Sequence, residues 1–346
     1  MLQHCPSLKY VPIAFLLLIS ACDRDNPAET GTHPDQASQD VKHPVYANVD
    51  AERVINADKD PGNWLSHGRT YDEQRYSPLK NINIENVDQL GLAWYFDLET
   101  TRGTEATPLV IDGVMYVPGH WNVVFAIDAA SGHQRWRYDP HTRRDWTRYA
   151  CCDAVSRGLA AWKGKIIAAT LDGRVLALDA RSGELVWEVQ TTDPDQPYSI
   201  TGAPRVVNGK VVIGNNGAEL GIRGYVTAYD AETGEQIWRF YTVPANPADG
   251  FESPAMEMAA KTWSGEWWKY GGGGTAWDSF SYDPELNLRY IGTGNGRPWP
   301  RDIRSPGGGD NRFWLPLSPS TPIPGSIAGI TRPFPARTGT SPPLNT

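Results

Sequence analysis

Three stretches of the chain, VVFAIDAASGHQRWRYD, RVLALDARSGELVWEVQ and YVTAYDAETGEQIWRFY, align without gaps. Their aspartates (Asp128, Asp179, Asp230), glycines (Gly132, Gly183, Gly234) and tryptophans (Trp136, Trp187, Trp238) each advance by 51 residues. Three residue types holding one register three times make a structural repeat. Each unit reads as an alternating strand ending in Asp, a turn with Ser or Thr and Gly, and a second strand carrying Trp. The Asp carboxylate suits the turn's backbone N–H groups, and Gly supplies the positive φ. The Trp is large enough to bridge to the next unit. Further β-branched runs precede each pair, split by Asp-Gly, Lys-Gly or Asn-Gly turns. Four strands per period of 51 residues predict an all-β fold, a β-propeller of four-stranded blades. A β-solenoid is the competing architecture, but its coils are usually shorter.

Fourteen tryptophans with abundant Gly and Pro suit short strands and tight turns. A net charge of −8 with no basic run argues against a nucleic-acid partner. At the N-terminus the run YVPIAFLLLISAC is too short to span a bilayer and ends in small residues. It predicts a lipoprotein signal peptide over 1–21, with Ile19-Ser20-Ala21-Cys22 as the lipobox and Cys22 as the lipidated residue. A plain secretory signal with an incidental cysteine is the alternative. Asp23 beside the lipid site favours retention at the inner membrane, so the expected location is the periplasm, anchored to a membrane. Residues 22–44 are polar and aperiodic and predict a flexible tether. Cys151 and Cys152 then remain as the cysteines of the mature fold. The exporting compartment permits a disulfide, but on the residues alone two reduced, buried thiols filling a core gap are the favoured reading.

A fourth unit starts at AWDSFSYDPELNLRYIGTGNG and should continue with the Asp, Thr-Gly and Trp pattern. From Arg312 to Thr346 the chain is instead Pro-rich with no acidic residue, and Pro does not serve in central strands. The expected division is a partial propeller over 45–311 and a non-family, disordered tail over 312–346. A frameshift or truncation after Asn311 would produce such a tail; a genuine Pro-rich tail is the alternative.

Several motifs stand in order between Asn63 and Asn311: NWLSHGRTYDEQRYSPLKNIN, GTEATPLV, RYACCDAVSRG, GNNGAELGIRGYVTAYD, GGGGTAW and TGNGRPW. Together they resemble the pyrroloquinoline quinone (PQQ)-dependent alcohol dehydrogenases, eight-bladed quinoprotein propellers of which this chain would encode about half. The resemblance implies that Cys151 and Cys152 form a vicinal disulfide against one face of the quinone. Adjacent α-carbons lie about 3.8 Å apart, below the usual disulfide range, so such a ring is strained, stiff and flat. It implies that Trp277 stacks on the opposite face. Arg157 and Glu105 would contact the cofactor, Thr201 and Thr275 would be hydroxyl donors in its plane, and Asn216 and Ala218 would lie beside the metal ligand. Asn216 stands where Ser is frequent. A tricarboxylate needs cations and donors, and guanidinium suits it. Glu219 and Asn295 would ligate Ca²⁺, with a lanthanide as the other candidate, through hard oxygens. The metal would polarise the quinone carbonyl for hydride attack.

The resemblance also marks what is missing. The family's catalytic Asp base, and a later Lys or Arg on the quinone, lie beyond Asn311, so no catalytic residue is assigned. The haem motif Cys-x-x-Cys-His is absent, and Pro300 stands where Asn is frequent. The expected activity is oxidation of an alcohol to an aldehyde or ketone, with electrons passed to cytochrome c or a membrane acceptor, and no turnover by this chain alone. The competing function is a lipid-anchored, cofactor-free propeller scaffold for outer-membrane protein assembly. The signal and the repeat suit it equally, but it has no use for the Cys pair, GAELG, GGGGTAW or TGNG.

Overall fold

A computed structural model describes residues 46–311 and the backbone of Ser326–Ala328. The expected signal peptide, Cys22, Asp23 and the tether lie outside the described residues, as does the tail apart from Ser326–Ala328. Among the described residues no helix is long and apolar enough to cross a membrane.

The repeat folds as expected into three complete four-stranded sheets. The first holds β1 (Leu109–Ile111), β2 (Val114–Pro118), β3 (Val124–Asp128) and β4 (Gln134–Tyr138). The second holds β5 (Ala160–Trp162), β6 (Lys165–Ala169), β7 (Arg174–Asp179) and β8 (Leu185–Gln190). The third holds β9 (Arg205–Val207), β10 (Lys210–Gly214), β11 (Tyr225–Asp230) and β12 (Gln236–Tyr241). Neighbours in sequence are neighbours in each sheet, all antiparallel. A bulge recurs after Ala126, Ala177 and Ala228, again at the repeat spacing. A partial fourth blade pairs β13 (Phe280–Asp283) with β14 (Leu288–Ile291). Its third strand, β15 (Ser326–Ala328), runs parallel to β14, unlike every pairing in the complete blades. This short strand falls within the tail expected to have no structure.

Hairpin chemistry explains the inner edges. The turns Asp112-Gly113, Lys163-Gly164 and Asn208-Gly209 have positive φ at both residues, the conformation that matches strand twist in two-residue loops. The outer turns use the repeated Asp: Asp128, Asp179 and Asp230 each accept through Oδ1 from the backbone N–H groups two and three residues on.

Blades pack face to face. One apolar cluster joins Leu109, Tyr116, Val124, Ile166 and Leu176 across the first two sheets; a second joins Ile167, Val175, Val211 and Tyr229 across the next two. The repeated Trp then ties each blade to its successor. Trp136 Nε1 donates to the Ala180 carbonyl at 3.0 Å, and Trp187 Nε1 to the Ala231 carbonyl at 3.3 Å. A β-carbon on Gly183 or Gly234 would stand 2.7 or 2.8 Å from the preceding blade's indole. Glycine there serves two needs, the left-handed turn and the close approach of the ring.

Candidate cofactor site

Antiparallel order decides where loops go. The segment entering a blade's first strand and the loop between its second and third strands fall at one end; the Asp-Gly and Asp-to-Gly turns fall at the other. Every residue proposed from the sequence to touch cofactor or metal sits at the first end. Glu105 precedes β1, Cys151, Cys152 and Arg157 precede β5, and Thr201 precedes β9. Asn216, Ala218 and Glu219 lie between β10 and β11, Thr275 and Trp277 precede β13, and Asn295 follows β14.

Backbone bonds link these segments across blades. Thr107 N–H donates to Arg157 O at 2.9 Å, Arg157 N–H to Thr201 O at 3.0 Å, and Asn216 N–H to Ser199 O at 2.7 Å. Farther round, Gly274 N–H donates to Asn295 O and Gly294 N–H to Thr275 O. The glycine run Gly271–Gly274 has positive φ throughout, and a β-carbon on Gly273 would strike Asn295 O at 2.5 Å. Gly202 lets the chain beside Thr201 pass Trp277, whose carbonyl would lie 2.4 Å from an added β-carbon.

Side chains complete the ring. Arg157 Nη2 pairs with Glu105 Oε2 at 2.8 Å and its Nη1 donates to Thr201 Oγ1 at 2.5 Å. Asn216 Nδ2 donates to the same hydroxyl at 2.8 Å, while its Oδ1 is buried without a donor. The Arg157 guanidinium lies 5.0 Å from the Trp277 ring centroid. Trp277 is 42% exposed, unlike the buried blade tryptophans Trp136 and Trp187. Thr275 and Ala218, the latter next to Glu219 in the chain, are buried.

Cys151 and Cys152 are both exposed, with their sulfurs 2.6 Å apart. Their exposure also argues against two thiols plugging a core gap. Burial, the Cys152 thiol and then the Glu219 carboxylate push Cys151 up to about 11, while Arg157 acts in the opposite sense. Those couplings show that the pair, the expected metal ligand and the expected cofactor arginine share one electrostatic neighbourhood.

Arg297 is the partner that sequence reasoning missed. Its Nη2 forms an ion pair with Glu219 Oε1, and its guanidinium stands over Trp299. Among the described residues no cluster of three His, Cys, Asp or Glu could hold a metal by itself. Glu219 and Asn295 offer hard oxygens, so a metal here would need further oxygens, and Arg297 would have to release the carboxylate. The quinone fits better. The site presents an anion-binding guanidinium, hydroxyl and amide groups, a buried acceptor lacking a donor, one exposed indole face and an exposed sulfur pair.

Comparison with known proteins agrees with this chemistry. Residues 64–300 match the family described as PQQ glucose/ethanol/alcohol dehydrogenase, beta-propeller domain. Quinohemoprotein alcohol dehydrogenase ADH-IIG of Pseudomonas putida is 61% identical over 271 residues, 78% of this chain and 38% of that protein. Its solved structure superposes with a TM-score of 0.77, covering 78% of this chain and 40% of that one. A europium-containing methanol dehydrogenase is 40% identical with a TM-score of 0.69, over 75% and 47% of the two chains. The 1-butanol dehydrogenase (cytochrome c) of Thauera butanivorans is 46% identical over 73% of this chain and 37% of that protein. The chain spans about two fifths of the length of the curated relatives it matches. With the family match and the convergent loops pointing the same way, this chain belongs to the PQQ-dependent glucose/ethanol/alcohol dehydrogenase β-propeller family.

Proposed function

We propose that this chain forms the quinone-holding part of a dehydrogenase that oxidises an alcohol to an aldehyde or ketone. The observation that carries the proposal is the Glu105–Arg157–Thr201–Asn216 network, set beside Trp277 and the Cys pair at one end of the blades. A cofactor-free scaffold has no need of that arrangement. PQQ, when bound, supplies the acceptor for the hydride of the alcohol carbon.

The chain's own residues have separate tasks. Arg157, pre-positioned by Glu105 and Thr201, supplies the fixed positive charge that recognises a carboxylate. Asn216 Oδ1 stands ready to accept from a ring N–H, and Thr275 offers a hydroxyl beside Gly294. Trp277 gives a flat apolar surface, and the Cys pair gives another once oxidised to the vicinal disulfide. Glu219 and Asn295 would hold a hard cation, Ca²⁺, with a lanthanide as the other candidate given the likeness to the europium enzyme. The proposed setting is periplasmic, with Cys22 as a lipid anchor. The proposed electron acceptor is cytochrome c or a membrane acceptor, as the name of the butanol dehydrogenase suggests for that relative.

Titrating PQQ into the purified chain while following tryptophan fluorescence tests the reading. Binding should be saturable, should tighten with Ca²⁺ or La³⁺, and should weaken in Trp277→Ala. Absence of saturable binding with either metal would overturn it. Dye-linked alcohol oxidation by the chain alone is expected to stay at background.

A further inference from the structure

A cavity of about 30 Å³ lies where the N-terminal segment covers the third and fourth blades, bounded by Val54, Tyr71, Val212, Phe280, Tyr282 and Arg289. Arg289 is 3% exposed. Its Nε and Nη1 find no hydrogen-bond acceptor, and its guanidinium lies 5.8 Å from the Tyr282 ring centroid. A guanidinium does not lose its proton inside a protein, so this is a buried positive charge without a counter-ion among the described residues. Glu73, the one carboxylate lining the cavity, is committed to Arg205 through two bonds of 2.7 and 3.1 Å.

A second donor lines the same space: the Tyr71 hydroxyl is buried without a partner. Position in the blade makes the arginine more unusual. It is the second residue of the blade's second strand, where the complete blades carry Met115, Ile166 and Val211. A core position has acquired a permanent charge.

Leaving a buried ion unpaired is among the costliest arrangements in a fold. A water molecule could satisfy the donors but not the charge. The volume admits one water-sized particle. We propose that this cavity is a seat for one monatomic anion, chloride under ordinary conditions, held by Arg289 with Tyr71.

The test is thermal unfolding of the full chain at constant ionic strength, with chloride replaced stepwise by gluconate, which is too large to enter. The melting temperature should rise saturably with chloride, by about 4 °C at high occupancy. Arg289→Leu, which restores the apolar residue, should lose the chloride dependence while melting no lower than the parent in gluconate. Tyr71→Phe folds with one donor fewer and should need about tenfold more chloride for its half-effect. A bromide-soaked crystal should show an anomalous peak beside Arg289. Identical melting of the parent chain in both salts, an unshifted half-effect in Tyr71→Phe, or a water in place of the bromide peak would each overturn the proposal.

Discussion

Arg157 is committed to three neighbours at once: the Glu105 carboxylate, the Thr201 hydroxyl and the Trp277 face. Its planar fork makes that possible, and lysine cannot reproduce it. Arg157→Lys should therefore weaken PQQ binding by about 10–100-fold with little change in melting temperature, read from a fluorescence titration. His67 shows the opposite use of charge. Burial first, then the fields of Arg205, Arg75 and Arg157, hold its pKa down to about 3. The unfolded chain takes up a proton below about pH 6.5 that the folded chain refuses. Stability is then fully present above that pH and falls as pH drops toward 3. The loss should be on the order of a few kcal/mol, and His67→Gln should flatten it in urea unfolding at pH 7 and pH 5. Glu105, Arg157, Trp277 and the Cys pair were legible as candidates because ordered motifs named them. Arg297 on Glu219 was not, because an ion pair between residues 78 positions apart leaves no local pattern.

Each blade depends on a small number of repeated contacts, and the structure separates their contributions. Gly183 carries both a left-handed φ of +76° and the Trp136 ring against its α-carbon, whereas Gly113 carries φ of +79° with open space around it. Gly183→Ala should cost several times as much stability as Gly113→Ala, about 3 against about 1 kcal/mol by urea unfolding. The tryptophans divide in the same way. Trp136 and Trp187 donate to carbonyls in the following blade, while Trp238 Nε1 is buried with no acceptor. Removing the N–H with Phe should cost about 1 kcal/mol more at Trp187 than at Trp238. Strand order, turn types and the Asp-capped turns followed directly from the repeat. The parallel pairing of Ser326–Ala328 with β14 did not, because nothing local to that short stretch specifies a partner.

At the scale of the whole molecule, eight large apolar side chains between Tyr76 and Tyr95 are exposed, with Ile84 and Leu92 at 95% and 81%. Exposed apolar side chains concentrated in one segment are a liability for association. The chain alone should self-associate in sedimentation velocity and bind an apolar dye. Ile84→Lys with Leu92→Lys should lower both signals without lowering the melting temperature. The exposure of this segment appears only once the blades are placed.

The sequence by itself determined the blade and its turns, because both depend on residue types recurring at fixed spacing. Tertiary structure alone decided which loops share an end, that Arg297 meets Glu219, that the Cys pair is exposed, and that Arg289 is buried without a counter-charge among the described residues. Those outcomes depend on distances between segments remote in the chain. Such distances are set by how blades stack, and no local pattern of residues records them.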